Sequence, residues 1–245
     1  MLRGLYTAAS GMLVQTARMD MASNNLANVD TAGFQRQAPH IYSFPEMLIS
    51  RVHNGTSTPI GHLGTGAVVN GDRSSFLPGA IKTTGNPLDV AIVGPGFFAV
   101  ETPDGPRYTR DGRFAVNPSG WLVTLDGNRV RGESGPILAK GTEVVIDDGG
   151  QVFVDGRFVD KLLVVEFTDR DGLIRRGANL YEAMEDAGQP FRYRDMQVVQ
   201  GAVEMSNVNV IREMVNLISV QRAYEANAKV VQAYDETLGK AVNDI

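Results

Sequence analysis

LRGLYTAASGMLVQTARMDMASNNLANVD, residues 2–30, sets large apolar side chains one heptad apart at Leu5, Met12, Met19 and Leu26. The same beat returns at the other end of the chain, in Val210, Leu217, Tyr224, Val231 and Leu238. A seven-residue period sustained over several turns draws an apolar seam down one side of a helix, and such a seam needs a partner helix. The first helix is expected over Leu2 to about Asn28, roughly 40 Å long at 1.5 Å per residue. Ala8 and Ala22, three residues beyond two of the seam positions, leave room for a close neighbour. Asn28, Asp30, Thr31 and Gly33 end it in turn-prone chemistry, with Phe34 beyond.

The second helix is expected over Asn209 to Asn243, roughly 50 Å. Asn207 or Asn209 supplies its cap, and Glu213 in the first turns suits the helix dipole. Met214, Ala228 and Val242 join the seam in this reading, while Gln221 and Asp235 interrupt it. Such interrupted seams make poor isolated coiled coils and call for a mixed bundle. Glu225 with Lys229 and Glu236 with Lys240 mark a wetter face.

Between the helices the period changes. From about Asn86 to Glu185, short runs rich in Val, Phe and Ile alternate with Asp-Gly pairs at 104–105, 111–112, 126–127, 148–149, 155–156 and 171–172. Asp-Gly between apolar runs signals tight hairpins, which need positive φ. Strands are expected at 88–93, 97–102, 107–110, 113–117, 121–125, 143–147, 151–154 and 161–168. No helix-period stretch separates them, so the sheets are expected to be antiparallel. Residues 35–85 are less regular, punctuated by Pro39, Pro45, Pro59 and Pro78. A short helix over Phe44–Ile49 and a strand over Ala67–Asn70 are expected there. The reading is an α+β protein: long N- and C-terminal helices forming a coiled-coil-like core domain (residues 1–35 and 205–245), an irregular loop-rich linker (36–85) and a central all-β antiparallel domain (86–204).

At 245 residues with 43% hydrophobic content, the chain has enough material for one large core or two modest ones. A net charge of −5 argues against nucleic acid, whose phosphates demand clustered Lys and Arg. No apolar run approaches the ~20 residues of a membrane span. The N-terminal stretch has no basic run feeding a continuous apolar core, so no cleaved signal peptide is expected. Cysteine is absent, which removes disulfides, thiolate metal sites and cysteine nucleophiles.

Sites of chemistry are scarce. Gly94-Pro95-Gly96-Phe97-Phe98-Ala99 fits a loose dinucleotide fingerprint, but the residues after it read as a strand, not the helix that would receive a pyrophosphate. His40, His53 and His62 lack the spacing of a zinc pair and read as surface residues. Most aspartates precede glycine, where the turn explains them. Asp169-Arg170-Asp171-Gly172 departs from a calcium loop. No G-x-S-x-G elbow occurs. Phe191-Arg192-Tyr193-Arg194 is too short for a nucleic-acid surface in an acidic chain. No catalytic residue, cofactor or metal is expected.

Three blocks carry a resemblance. Ser10-Gly11-Met12 followed by Asn24-Asn25-Leu26-Ala27-Asn28-Val29-Asp30-Thr31-Ala32-Gly33-Phe34 is the first. Asn86-Pro87-Leu88-Asp89-Val90-Ala91-Ile92, Gly96-Phe97-Phe98 and Tyr108-Thr109-Arg110-Asp111-Gly112 form the second. Ser206-Asn207-Val208-Asn209-Val210, Glu213-Met214-Val215-Asn216 and Gln221-Arg222-Ala223-Tyr224-Glu225 form the third. In this order they resemble the flagellar axial proteins, the rod and hook proteins of the bacterial basal body. The length is similar to the rod proteins of FlgF/FlgG type, since hook proteins carry extra surface domains. The resemblance implies a structural subunit that stacks helically into a hollow drive shaft outside the cytoplasmic membrane, with terminal helices inside and the β-domain outside. Its implied partners are other copies of itself, neighbouring rod and hook proteins, and the flagellar type III export apparatus. The expected assembly interface comprises Leu5, Met12, Met19, Leu26, Asn28, Gly33, Phe34, Val210, Leu217, Tyr224, Val231 and Leu238. The alternative from another class is a secreted β-domain enzyme acting on polysaccharide, carried on a helical anchor.

Overall fold

The computed structural model describes residues 2–53, 56–193 and 196–243. Asn54, Gly55 and Arg194 lie outside the described residues, as do the side chains of His53 and Val242. The protein is α+β. Helix α1 runs over Leu2–Ala27 and helix α2 over Val210–Asn243, with a β-rich body between them in sequence. The chain divides into two compact units: Met1–Leu26 with Gln37–Arg73 and Asn209–Ile245, and Ala27–Arg36 with Ser74–Val208.

In the first unit α1 and α2 run antiparallel. Gly4 lies under the ring of Tyr234, and seven residues on, Gly11 meets the side-chain amide of Asn227, seven residues earlier on α2. A Cβ at Gly4 would collide with the Tyr234 phenol, and one at Gly11 would sit a tight 3.0 Å from Asn227 Nδ2, so glycine lets the helices approach closely here. The cap of α2 is Asn209, whose Oδ1 accepts the Arg212 N–H at 3.0 Å. The Asn25 side chain closes the other helix: it donates to the Gln37 carbonyl at 2.7 Å and accepts the Gln37 N–H at 2.8 Å. Gln37 in turn donates to Asp72 at 2.9 Å.

Residues 36–85, expected as an irregular linker with a strand at Ala67–Asn70, hold five strands among the described residues: Arg36–Ser43, Met47–His53, Thr56–Leu63, Ala67–Ser75 and Ile81–Thr83. The expected helix at Phe44–Ile49 is a strand from Met47 onward, paired antiparallel with Thr56–Leu63 from Met47↔Leu63 to His53↔Thr56. A helix that short leaves nearly all its backbone groups unpaired, whereas the hairpin pairs them. Pro59 is accommodated beside a register shift at Ile49/Ser50, the sort of place where a strand tolerates proline. The base of the hairpin rests on α1: Thr7 Oγ1 donates to the Thr65 carbonyl at 3.4 Å, and Gly66 packs on Ser10.

The second unit is built on Phe97–Thr102, whose side chains alternate between two cores. Phe98 and Val100 join a cluster with Val90, Leu122, Val130, Ile137, Val152 and Leu162. Phe97 and Ala99 join Tyr108, Val165, Phe167 and Tyr181 on the opposite face. A strand buried on both faces reads as an unbroken apolar run, which is how Phe97–Val100 reads. It pairs antiparallel with Gly105–Thr109, Arg129–Val130 and Val164–Glu166. Every expected strand overlaps an observed one, but 161–168 is broken, with Arg157–Lys161 and Val164–Glu166 pairing to different neighbours. The Asp155-Gly156 turn takes positive φ at both residues, 49° and 75°. Gly112 is different: a Cβ there would lie 1.7 Å from the Val90 carbonyl oxygen, so close strand contact, not turn geometry, requires glycine.

Candidate assembly surface

The nine seam residues of α1 and α2 (Leu5, Met12, Met19, Leu26, Val210, Leu217, Tyr224, Val231 and Leu238) are each half-buried. The fully buried neighbours sit three residues further on: Ala8 and Ala22 in α1, Glu213 and Val220 in α2. Asn227 and Tyr234 continue that row and are the residues that touch Gly11 and Gly4. The row four residues beyond the seam, expected to include Met214 and Ala228, faces outward at Met214, Gln221 and Asp235. Both rows flank the same stripe of a helix with 3.6 residues per turn, and which of them turns inward depends on the side from which α1 approaches. The inward row of α2 is therefore polar at Glu213 and Asn227 and aromatic at Tyr234, while the large aliphatic row is left half-covered.

An open groove of about 520 Å³ lies within this unit, between the N-terminal end of α1, the C-terminal half of α2 and the base of the hairpin. Tyr6, Met47, Leu63, Val230 and Tyr234 supply its apolar walls. Gly4, Ala8 and Gly64 keep it open.

Asn28, Gly33 and Phe34 belong to the second unit. Thr31 N–H donates to the Asn28 carbonyl at 3.2 Å, which tightens the turn after α1. Gly33 has φ 67° and donates its N–H to the Glu204 carbonyl at 2.8 Å. A Cβ on Gly33 would sit 2.4 Å from the Asp111 nitrogen. Phe34 is fully buried beneath the guanidinium of Arg175, 4.6 Å from its ring centre.

Four polar residues outside the expected set hold this corner. Arg110 and Glu204, each 2% exposed, form an ion pair at 3.1 Å. The other Glu204 oxygen accepts from Gln35 at 3.2 Å and from the Gly79 N–H at 2.9 Å. Arg110 also donates to the Gly94 carbonyl at 2.9 Å and lies over the Phe97 ring. Asn207 accepts the Arg36 N–H at 2.7 Å and donates to Gln35 Oε1 and to the Ser75 and Leu77 carbonyls. Burial pulls the Arg110 guanidinium below the ordinary arginine range, and Glu204 opposes that shift. Arg110 and Asn207 stood inside the second and third sequence blocks. Gln35 directly follows the first block, and Glu204 stands two residues before the third. The signal for the cluster was the proximity of three separated polar motifs, which spacing along the chain does not reveal.

Among the described residues no group of three or more His, Cys, Asp and Glu side chains is placed to hold a metal. Phe97–Thr102 after the glycine pair is a strand. No described helix is long and apolar enough to cross a membrane.

Comparison with known proteins bears on the same three blocks. Residues 5–35 match the family described as flagella basal body rod protein. Residues 91–154 match the flagellar hook protein FlgE/F/G D1 domain. Residues 199–244 match the flagellar basal body rod FlgEFG protein C-terminal family. The chain is 34% identical, over its full length and 99% of the relative, to the flagellar hook-basal body complex protein FlhO of Bacillus subtilis. It is 36% identical to the flagellar basal-body rod protein FlgG of Buchnera aphidicola subsp. Baizongia pistaciae, covering 98% of each chain. Against FlgG of Bacillus subtilis the identity is 33%, with 99% of each chain covered. These relatives are structural flagellar proteins and give the polysaccharide-active alternative no support. With the family matches in order from one helix to the other and about a third of residues shared along whole relatives, the chain belongs to the flagellar basal-body rod proteins of FlgF/FlgG type.

Proposed function

We propose that this protein is a structural subunit of the basal-body rod whose copies pack through α1 and α2 into a helical, hollow shaft that carries torque from motor to hook. In this reading the terminal helices form a coiled-coil-like core domain and the residues between them a central all-β domain on the outside. Leu5, Met12, Met19, Leu26, Val210, Leu217, Tyr224, Val231 and Leu238 pack between helices of different copies. Asn28, Gly33 and Phe34 fix the direction in which the chain leaves the helical core. The subunit reaches its place through the flagellar type III export apparatus and meets neighbouring rod and hook proteins.

The half-covered seam carries this reading. Nine large side chains at heptad spacing remain only half-buried on the helices of a single copy. Their apolar surface gains from removal from water by roughly 25 cal/mol per Å², so a second copy has a driving force to cover it.

The test deletes residues 1–30 or 210–245 and examines isolated basal bodies by electron microscopy. Both deletions are expected to abolish rod assembly while the strand-rich unit still unfolds cooperatively. A complete rod built from either truncated chain would overturn the proposal.

A further inference from the structure

Two narrow ribbons open and close the second unit. Ile81–Thr83 pairs antiparallel with Ala202–Glu204, and Val90–Val93 with Gln197–Gln200. Each ribbon joins an early strand of the unit to a late one, and each is a two-stranded sheet separate from the nine-stranded sheet. Backbone bonds run between them. The Thr84 and Gly85 N–H groups both donate to the Gly201 carbonyl, the Gly201 N–H to the Asp89 carbonyl, and the Met205 N–H to the Ala80 carbonyl. The chain after α1 is bound into the same strap, with the Gly33 N–H on the Glu204 carbonyl and the Arg36 N–H on Asn207. Three side chains of the central body latch it: Arg110 pairs with Glu204, Asn179 donates to the Ala32 carbonyl at 3.2 Å, and Arg175 lies over Phe34. Val90, Ile92 and Val198 pack on the body's core.

A two-stranded ribbon is marginal in water by itself, so each ribbon owes its stability to the other ribbon, to the latch and to that packing. The strap also closes a long loop, since Gln35 and Glu204 are 169 positions apart. The strands from Phe97 to Val154 pair mostly with near neighbours in sequence and do not need that closure. We infer that residues 27–36, 79–93 and 197–207 act as one strap that opens and closes as a piece while the central sheet stays folded. The strap carries the roots of both helices, because α1 ends at Ala27 and α2 begins at Val210. Both roots are therefore set in one step or released in one step. Cooperative sub-global opening of this sort is how a fold keeps a movable element on a stable body.

Native-state hydrogen exchange on the full chain, followed against low urea, tests this. The amides of Gly33, Thr84, Gly201 and Met205 are expected to share one opening free energy, below that shared by Leu122, Arg131 and Leu163 in the central body. Leu173→Ala truncates the core on the other face of Phe97–Thr102. It is expected to speed exchange of the body set roughly thirtyfold or more and to leave the strap set unchanged. Glu204→Leu is expected to speed both sets, because it raises the closed state from which every opening starts. A single opening free energy for both sets in the unaltered chain would overturn the inference, whatever the variants do. Equal acceleration of both sets by Leu173→Ala would overturn it too. Unequal opening free energies at Gly33 and Met205 would show that the two roots move separately, and would also overturn it.

Discussion

A carboxylate and a guanidinium buried together hold each other's charge in place of water, and removing one strands the other. Arg110 and Glu204 stand in that relation, and Glu204 also satisfies Gln35 and the Gly79 N–H. Breaking a buried pair by changing one partner costs about 3–5 kcal/mol, while replacing both by apolar side chains of similar volume is close to neutral. Glu204→Leu and Arg110→Met are therefore each expected to lower stability in urea by about that amount. The combined change Arg110→Met with Glu204→Leu is expected to cost less than either single change. A loss in the double variant equal to the sum of the two single losses would show that the two side chains act separately. The pair's role is positional: it ties the turn after α1 to the loop at Gly79 and to the approach to α2 within one unit.

At the scale of the element, α2 begins with a side-chain cap and has a polar inward row, so its first turn depends on Asn209 more than on apolar packing. Asn209 Oδ1 takes the Arg212 N–H, and its carbonyl takes the Glu213 N–H at 3.0 Å. Asn209→Ala should cost about 1 kcal/mol, in line with other lost N-caps. Hydrogen exchange reads the effect directly: faster exchange is expected at residues 211–213 and no change near Tyr234. Uniformly faster exchange along α2 would contradict a local cap. The same division of labour resolves which asparagine caps the helix. Asn207 is occupied with Gln35, Arg36 and the 75–77 backbone, which leaves Asn209 for the cap.

For the molecule as a whole, alkaline pH probes the second unit's core. Tyr181 is fully buried, and burial pushes its phenol from 10.0 up to about 12. The neutral form is the one the fold prefers, so its contribution is complete below pH 10. It is lost as pH rises from 10 to 12, where the unfolded chain ionises first. That window is worth roughly 2 to 3 kcal/mol. The melting temperature is expected to hold steady up to pH 10 and then fall, and Tyr181→Phe should flatten that fall. An equal fall in the variant would assign the alkaline loss to other groups.

Local pattern decided much of this protein. Heptad spacing placed both helices, period-two runs and Asp-Gly turns placed the strands from Val90 to Val154, and the order of three motifs named the family. These features are legible because helix and strand periodicity and turn geometry depend on residues within a few positions of each other. The hairpin at Met47–Leu63 was hidden because its strands gain stability from pairing with each other, a term absent from either stretch alone. The inward row of α2 was likewise undetermined, since positions three and four beyond a seam residue flank it equally until α1 chooses a side. The meeting of Gln35, Arg110, Glu204 and Asn207 needed chain topology to bring residues up to 172 positions apart into hydrogen-bond range. Sequence by itself set the period and therefore the demand for partners. Tertiary structure decided which faces meet within one copy and which remain apolar and open, because burial is a property of the neighbour as much as of the residue.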